Sequence, residues 1–307
     1  MKFAIMGAGA IGCYFGARLS AAGEEVHFIS RGAHLAAMRK NGLKIESDRG
    51  NLHLTNPLLT DNPATVGPVD YILFCVKLWD IDATAESIKP LIKNGTAILS
   101  LQNGVYAEGR LVELLGPEYV IGGSAYTPAT IIAPGLVRQY GKLAKLEFSE
   151  LNNVRTSRIE FLYKACLNAG IDAEIPADIE ASLWSKFVTI TTLSGATSLC
   201  RSTIGPIRSN PWGLNLIKSL ANETIEIAKA KGIKLDPEYA NIVFERMMNF
   251  PPDTQGSMAT DLHKGARLEL EWLNGMVSKF GLELGIPTPA NDAVMMGLSV
   301  HAMGQIT

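Results

Sequence analysis

The sequence predicts an α/β fold in which a doubly wound, mixed sheet forms an N-terminal domain and an all-α domain follows it. Three observations support this prediction. The stretch Lys2–Arg31 has the pattern of a strand, a glycine turn, a helix and a second strand. Two later runs, Val69–Val76 and Thr96–Leu101, are continuous and apolar, as in strands buried on both faces. Helical patterns then replace strand patterns, so we expect domains at residues 1–176 and 177–307.

The first strand ends in the sequence GAGAIG, the G-x-G-x-x-G pattern of a dinucleotide-binding turn, and a helix pattern follows directly. In such a Rossmann unit, the first glycine allows a sharp turn and the second lets the backbone approach a pyrophosphate. The third lets the helix pack on the strand, while the helix N-terminus attracts the anion. We therefore predict that the residues of this turn bind the cofactor: Gly7, Ala8, Gly9, Ala10, Ile11 and Gly12.

The end of the second strand indicates which dinucleotide is bound. An NAD-binding protein carries an acid there for the ribose hydroxyls, whereas this chain has Ser30-Arg31-Gly32. An arginine accepts the extra 2′-phosphate of NADP through paired, charge-assisted hydrogen bonds, and a carboxylate would repel it. We predict NADP(H) as the cofactor, with Arg31 as a cofactor-binding residue. The alternative is that Arg31 is an ordinary surface charge and that the glycines serve another tight turn.

Composition and charge argue against several classes of protein. The 307 residues are 47% hydrophobic and 19% charged with a net charge of −2, which gives no reason to expect nucleic acid or a membrane as partner. The cysteines and histidines lack metal-ligand or disulfide spacing, so we expect no metal site. No apolar run is long enough to span a membrane, and glycines interrupt the stretch that resembles a signal peptide. We expect a cytoplasmic protein.

Further elements are predicted along the N-terminal domain. Leu43–Glu46 and Leu52–Thr55 resemble a hairpin inserted on the sheet. Consecutive later strands without intervening helices indicate an antiparallel or mixed edge. The other predicted elements are helices at Ala33–Asn41, Ile81–Ile92 and Thr156–Asn168 and strands at Tyr119–Tyr126, Leu136–Tyr140, Leu143–Phe148 and Ile171–Pro176.

Two polar side chains follow the buried strands of the predicted sheet. Lys77 comes directly after Val69–Val76, and Asn103 follows Thr96–Leu101 in an Asn-Gly pair. Residues just beyond the carboxyl ends of parallel strands line the ligand crevice of such sheets. We therefore predict that Lys77 meets a phosphate or substrate and that Asn103 bonds the nicotinamide or a substrate hydroxyl. The alternatives are a solvated lysine and an ordinary turn.

The second domain is predicted to contain four or five helices. Their expected bounds are Asp178–Leu199, Trp212–Lys231, Pro237–Asn249, Gly256–Phe280 and Pro289–His301. On the fourth helix, Glu269 falls in a stripe of apolar residues spaced three and four apart, where a carboxylate is costly unless it is paired. Lys186 lies beside the apolar stripe of the first helix. Catalysis, a water-exposed stripe edge and a structural ion pair all remain open for Glu269 on spacing alone.

Nearly the whole chain resembles one enzyme family. The motifs GAGAIG, VKLW, LQNGV, LWSKF, GSMATD, LELEWLNGM and GIPTPAN occur in the order found in the ketopantoate reductase (2-dehydropantoate 2-reductase) family. The resemblance implies a Rossmann NADPH domain and a helical domain with the substrate in the cleft between them. It also implies that Lys186 donates the proton, that Glu269 orients Lys186 or the substrate, and that Asn103 and Ser257 bind the substrate.

The chain departs from the family pattern where asparagines normally contact the substrate. The corresponding positions carry Ile190, Ser194 and, in a looser alignment, Ile204. A pocket that hydrogen-bonds a hydroxyl discriminates against analogues lacking it by a factor on the order of 10⁴. We retain Ile190 and Ser194 as substrate-binding positions and expect a weaker preference for ketopantoate itself.

These observations lead to one expected activity and two alternatives. We expect an NADPH-dependent oxidoreductase that reduces a 2-oxo acid to a 2-hydroxy acid, most specifically 2-dehydropantoate to pantoate in coenzyme A biosynthesis. One alternative is a reductase of the same family with a more apolar 2-oxo acid as substrate. The other is an NADPH-binding sensor without catalysis, against which the presence of both Lys186 and Glu269 argues. A homodimer is possible, and the expected partner is a small molecule.

Overall fold

The computed structural model describes residues 1–305 and divides the chain into two compact units. The first unit contains Met1–Gln102 and Tyr106–Ile179. The second contains the short segment Asn103–Val105 and the chain from Glu180 onward. The chain therefore contributes three residues, Asn103–Val105, to the second unit before it continues in the first.

An eight-stranded sheet forms the centre of the first unit. Its strands are β1 (Lys2–Met6), β2 (Glu25–Ile29), β5 (Leu58–Thr60), β6 (Tyr71–Phe74), β7 (Ala97–Ser100), β8 (Val120–Tyr126), β11 (Lys145–Glu150) and β12 (Asp172–Glu174). They lie in the order β5-β2-β1-β6-β7-β8-β11-β12. All neighbours are parallel except β8 and β11, which are antiparallel. The predicted mixed sheet is confirmed.

The central strands are buried because helices cover the sheet. All four residues of β6 and of β7 are buried, as the continuous apolar runs predict. Phe3 and Ile5 of β1 have no exposed surface and belong to the core of this unit. The helices of the unit are α1 (Ala10–Ala21), α2 (Gly32–Asn41), α3 (Ile81–Ser87), α4 (Ala107–Leu115) and α5 (Ser157–Asn168).

The predicted hairpin is part of a separate sheet, so its placement on the main sheet was wrong. This second sheet comprises β3 (Leu43–Ser47), β4 (Leu52–Leu54), β9 (Ala129–Ala133) and β10 (Leu136–Gln139), in the order β4-β3-β10-β9. The hairpin itself forms, since β3 and β4 are antiparallel. Its other neighbour is β10, which runs parallel to β3. A buried hydrogen bond of 2.6 Å from Ser47 Oγ to Gln139 Oε1 ties the two strands together.

Helices are the only regular secondary structure of the second unit where the structure describes it. Its α-helices are α6 (Ile179–Leu199), α7 (Ile204–Arg208), α8 (Pro211–Ala230), α9 (Tyr239–Asn249), α10 (Ser257–His263), α11 (Asn274–Leu284) and α12 (Pro289–Leu298). The first residue of α6 clusters with the first unit. Four helices agree with the predicted positions, and α7 was not predicted. No helix among residues 1–305 combines the length and apolar character needed to cross a membrane.

The prediction of one helix over Gly256–Phe280 is wrong, because the α-helical conformation is interrupted within this range. Helix α10 ends near Gly265, whose φ of +63° lies in the left-handed region that glycine favours. A 3₁₀ turn follows at Leu270–Trp272, and α11 begins only at Asn274. The apolar spacing that predicted one helix therefore joins residues of two helices and a turn.

Candidate active site

Three glycines shape the turn between β1 and α1, each for a different steric reason. A methyl group on Gly7, whose φ is +90°, would lie 2.8 Å from the backbone nitrogen of Val76. On Gly12 it would lie 2.6 Å from the Gly7 carbonyl oxygen and 2.7 Å from Ile5 Cγ2. On Gly9 the nearest heavy atom would be 4.0 Å away. The turn is therefore closed against the sheet at Gly7 and Gly12 and open at Gly9.

The N-terminus of α1 has the properties of an anion site. Gly9 is its N-cap residue, and among residues 1–305 no side chain caps it and no acid occupies its first turn. Ala10 and Ile11 begin the helix and are half-buried. Burial raises the pKa of the Cys13 thiol, and the nearby Cys75 raises it further, so this group stays uncharged at neutral pH. Neither an acid in the first turn nor a Cys13 thiolate therefore opposes a pyrophosphate at this helix end.

Not every amide of the turn is available to a ligand. Ala8 is buried, and its N–H donates to the carbonyl oxygen of Ile29 at 3.0 Å. This bond fastens the turn to the end of β2. The Gly9 N–H is also used, since it donates to the Gly7 carbonyl oxygen at 2.7 Å. We infer that these two amides serve the shape of the turn, whereas the N–H groups of Ala10 and Ile11 are the ones that can face an anion.

The two predicted basic residues follow the two strands that flank β1. Arg31 is the exposed N-cap residue of α2, two residues beyond β2. Lys77 is exposed three residues beyond β6, with its ammonium 5.6 Å from the ring centre of Trp79. Because β2 and β6 flank β1 in parallel, both residues lie at the same sheet edge as the glycine turn. The first unit thus places two cations beside its candidate phosphate site.

The segment that carries Asn103 packs within the second unit. Asn103 is half-buried, and Gly104 has a φ of +100°. A methyl group on Gly104 would lie 3.2 Å from the carbonyl oxygen of Trp272 and 4.0 Å from Phe187 Cε2. At the Asn-Gly pair, this segment therefore lies close to the turn after Glu269 and to α6.

Helix α6 places Lys186, Ile190 and Ser194 four residues apart, which puts them on one face. Lys186 and Ile190 are half-buried, whereas Ser194 is only 3% exposed. Ser194 lies under Gly256, because a methyl group there would come within 2.3 Å of its Oγ. A longer side chain at either position would force the two segments apart. The lysine and isoleucine are the accessible part of this face.

Glu269 is buried, although it does not lie on the helical stripe that the sequence pattern predicts. It is 7% exposed and precedes the 3₁₀ turn instead of lying on a helical stripe. Its carbonyl oxygen accepts hydrogen bonds of 3.1 Å from the N–H groups of Trp272 and Leu273. The turn is anchored by Leu270 and Leu273, which are almost completely buried. Glu269 is therefore held by a compact turn with an apolar base.

The remaining predicted positions have different environments. Ser257 is exposed and is the first residue of α10. Ile204 has no exposed surface, and its N–H donates to the Thr254 carbonyl oxygen at 2.8 Å. Ile204 is thus a core residue of the second unit. Among the residues that the structure describes, no group of three metal-ligating side chains could hold a metal ion.

Sequence patterns gave no signal for two features next to these residues. Gly256 matters through its close approach to Ser194, which spacing cannot show. Asn274 follows the Glu269 turn directly and has no exposed surface. An asparagine before a glycine normally indicates a turn, so neither its burial nor its contacts could be predicted from the sequence.

Family models match both parts of the chain. The model described as "Ketopantoate reductase PanE/ApbA" matches residues 3–153, and "Ketopantoate reductase PanE/ApbA C terminal" matches residues 178–301. The 2-dehydropantoate 2-reductase of Mesorhizobium japonicum is 28% identical, with 96% of each chain covered. An uncharacterized oxidoreductase of Bacillus subtilis, YkpB, is 27% identical over 98% of this chain and 99% of that protein.

Solved structures share the same fold. A PanE/ApbA family ketopantoate reductase from Ralstonia eutropha superimposes with a TM-score of 0.91 at 30% identity, with 98% of each chain covered. A D-mandelate dehydrogenase, solved with NADH and anilino(oxo)acetate, superimposes with a TM-score of 0.88 at 25% identity and the same coverage. Relatives of this chain therefore include enzymes named for different 2-hydroxy acids.

Proposed function

Because the chain belongs to the ketopantoate reductase PanE/ApbA family, we propose that it reduces a 2-oxo acid to a 2-hydroxy acid with NADPH, and that 2-dehydropantoate is its substrate. Membership confirms the prediction of an oxidoreductase acting on a CH–OH or C=O group. The observation that carries the finer proposal is that one chain has both features: an open, uncapped glycine turn in its first unit, and Lys186 and Glu269 in its second.

The first unit fits a nicotinamide dinucleotide. The open side of Gly9 and the uncapped start of α1 suit a pyrophosphate. Arg31 and Lys77 add positive charge beside it, and Arg31 in place of an acid favours the 2′-phosphate of NADPH. When bound, NADPH supplies the hydride. A family relative contains NADH, so the choice of NADPH rests on Arg31 of this chain.

In the second unit, Lys186 is the proposed proton donor to the carbonyl oxygen of the substrate. Its ammonium also stabilises the negative charge that develops on that oxygen. Glu269, held in its buried turn, orients Lys186 or the substrate hydroxyl. Asn103 would bond the substrate and the carboxamide, and exposed Ser257 would bond the substrate carboxylate. Each assignment is one that the polarity of the side chain permits.

A second candidate is a more apolar 2-oxo acid, and Ile190 is the observation that favours it. It is half-buried one turn beyond Lys186, on the same face of α6, and offers no hydrogen bond to a substrate hydroxyl. Ser194 is buried under Gly256 and is poorly placed to replace the missing amide. The related D-mandelate dehydrogenase, whose structure holds anilino(oxo)acetate, makes an aryl substrate the natural comparison.

If the substrate is 2-dehydropantoate, the enzyme belongs to pantothenate biosynthesis and a cytoplasmic location follows from that role. We keep a homodimer as part of the proposal, with the small-molecule 2-oxo acid as partner. The pathway and the location depend on identification of the substrate.

The decisive experiment follows NADPH oxidation by purified protein with 2-dehydropantoate and with branched and aryl 2-oxo acids, for wild type and Lys186→Ala. We expect turnover with wild type, and a kcat about 10²-fold lower in the variant with an unchanged Kd for NADPH. Lys229→Ala is the matched control, because that lysine lies on the exposed face of α8, paired with Glu226, and its loss should leave kcat unaltered.

Three results would contradict parts of the proposal. Absence of turnover with every 2-oxo acid would remove the proposed reaction. Full kcat in Lys186→Ala would remove this lysine from the chemistry while leaving the reaction intact. A kcat/KM for an aryl oxo acid well above that for 2-dehydropantoate would select the second candidate.

A further inference from the structure

A buried chain of hydrogen bonds links four helices of the second unit. Asn274 of α11 donates from Nδ2 to the carbonyl oxygen of Thr191 on α6 at 3.1 Å and to Oδ1 of Asn291 on α12 at 2.8 Å. Asn291 donates from its own Nδ2 to Glu223 on α8 at 2.8 Å. Asn274 and Asn291 have no exposed surface. Polar groups buried this deeply are expensive unless they are bonded, so the chain fixes its members in one arrangement.

The direction of this chain is set by Glu223. A carboxylate only accepts hydrogen bonds, and Glu223 also accepts from the backbone N–H groups of Ala290 and Asn291 at 2.8 and 2.9 Å. The Asn291 amide must therefore turn its NH₂ toward Glu223 and its oxygen toward Asn274. Asn274 then faces two acceptors and must present its NH₂ to both. One amide orientation of Asn274 meets both acceptors, and it leaves the buried Asn274 Oδ1 without a hydrogen-bond partner among residues 1–305.

Helix α6 is shaped to receive the Asn274 side chain. Thr191 and Gly195 are one turn apart on the same face, and a methyl group on Gly195 would lie 2.6 Å from Asn274 Nδ2. The absence of a side chain at Gly195 therefore creates the notch that the amide fills. Asn274 locks the start of α11 against the helix that carries Lys186 five residues before Thr191.

The same residue ends the turn that holds Glu269. Leu273, its immediate neighbour, donates its N–H to the Glu269 carbonyl oxygen at 3.1 Å. The backbone from Glu269 to Leu273 is thus a single hydrogen-bonded turn, and its last residue is covalently joined to the residue locked on α6. A displacement of Asn274 would be transmitted to Glu269 through one turn of chain.

We propose that Asn274 is a positioning residue of the reaction, which acts by fixing the Glu269 turn on helix α6 beside Lys186. It is not a catalytic residue, because its side chain has no exposed surface that a substrate could contact. The proposal rests on the proposed function, since it concerns the same pair of side chains. It predicts that catalysis depends on Asn274 only as long as Glu269 is present.

The test is a double-mutant cycle on kcat with the full-length protein. Asn274→Leu keeps the branching at Cγ but removes both donors, and we expect kcat to fall about 10-fold or more, because misplacements near 1 Å have effects of this size. KM and the Kd for NADPH should change less than about twofold. In the Glu269→Gln background the same substitution should lower kcat less than about twofold, since the group that it positions is already disabled.

A second variant covers the case in which Asn274→Leu does not fold. In Gly195→Ala, alanine favours the helix interior more than glycine does, but its methyl group fills the notch. The variant should therefore displace the Asn274 amide and lower kcat without removing a buried hydrogen-bond donor. Thr224→Val is the matched control. Its hydroxyl donates to the Leu220 carbonyl oxygen at 2.9 Å and lies 3.3 Å from Thr191 Oγ1, so its hydrogen bonds do not involve the Asn274 amide. We expect Thr224→Val to retain the wild-type kcat.

The outcomes separate this proposal from the function on which it rests. If Glu269→Gln alone leaves kcat intact, the assignment of Glu269 fails first. If Glu269→Gln lowers kcat but Asn274→Leu and Gly195→Ala do not, only the positioning role is wrong. If Asn274→Leu lowers kcat equally in both backgrounds, its effect is a general structural one and the proposal is overturned.

Discussion

Substitution of Gly9 by alanine separates cofactor binding from folding. Gly9 has φ −82° and ψ −159°, a conformation that alanine adopts without strain, and the added methyl group would have no protein atom closer than 4.0 Å. The free protein should therefore be as stable as wild type. It could gain about 0.4–1 kcal/mol, because the unfolded chain loses freedom when glycine is replaced.

The same methyl group occupies the space through which a pyrophosphate would approach the start of α1. We expect it to displace the anion enough to remove about one charge-assisted hydrogen bond, worth roughly 1.5–3 kcal/mol. Since 1.4 kcal/mol corresponds to a tenfold change in affinity, the Kd for NADPH should rise about 10- to 100-fold. The assay is a fluorescence titration with NADPH beside a thermal unfolding curve without it.

Two further variants complete this test. Gly109→Ala in α4 adds a methyl group in open space away from the turn and should change neither Kd nor fold. Gly12→Ala should reduce both affinity and stability, because its methyl group meets Gly7 and Ile5 at 2.6–2.7 Å. If Gly9→Ala binds NADPH as tightly as wild type, the pyrophosphate does not lie at this turn and our account of the cofactor site is wrong.

Three other predictions concern cofactor choice, substrate choice and pH. Arg31→Ala should raise the Kd for NADPH about 10-fold or more and leave that for NADH unchanged, and parallel titrations would reveal an equal loss for both if the arginine does not contact the 2′-phosphate. Ile190→Asn should increase kcat/KM for 2-dehydropantoate relative to an aryl 2-oxo acid about 10-fold, and an unchanged ratio in competition assays would exclude this position from specificity. Burial alone would raise the pKa of Glu150, but hydrogen bonds from Arg158 and Thr156 outweigh it and hold that pKa below its usual range. The pair thus stabilises the fold above the unfolded-state pKa of about 4.3 and loses its effect as pH falls through the lower folded value. Glu150→Gln should cost about 3 kcal/mol at pH 7 and progressively less in acid, and urea unfolding would show a constant difference if the pair contributes nothing.

The glycine turn could be predicted from sequence because each of its glycines meets a local demand. Gly7 needs a positive φ and Gly12 needs contact with β1, and both demands are encoded within a dozen residues. The buried strands β6 and β7 are equally local, since apolar runs of this kind have few alternatives. The order and parallel direction of the central strands then follow from the general rules of such sheets.

Features that depend on distant partners could not be predicted in this way. The apolar spacing around Glu269 continues by coincidence across a turn, so the predicted helix was wrong. The pattern also left a water-exposed position open for Glu269, which its burial excludes. Nothing near β3 indicates that its partner is β10, because the pairing is between segments far apart in the chain. Helix α4 was overlooked because Gly109 interrupts an otherwise ordinary pattern.

The parallel pairing of β3 with β10 has a consequence for synthesis on the ribosome. Strand β3 ends at Ser47, but β10 does not begin until Leu136. At about 5–20 residues per second, β10 follows several seconds after β3 has been made. During that interval one edge of β3 has unpaired amide and carbonyl groups and can add a strand from another nascent chain. We therefore expect this hairpin to be the segment where nascent chains aggregate when translation is slowed between the two strands.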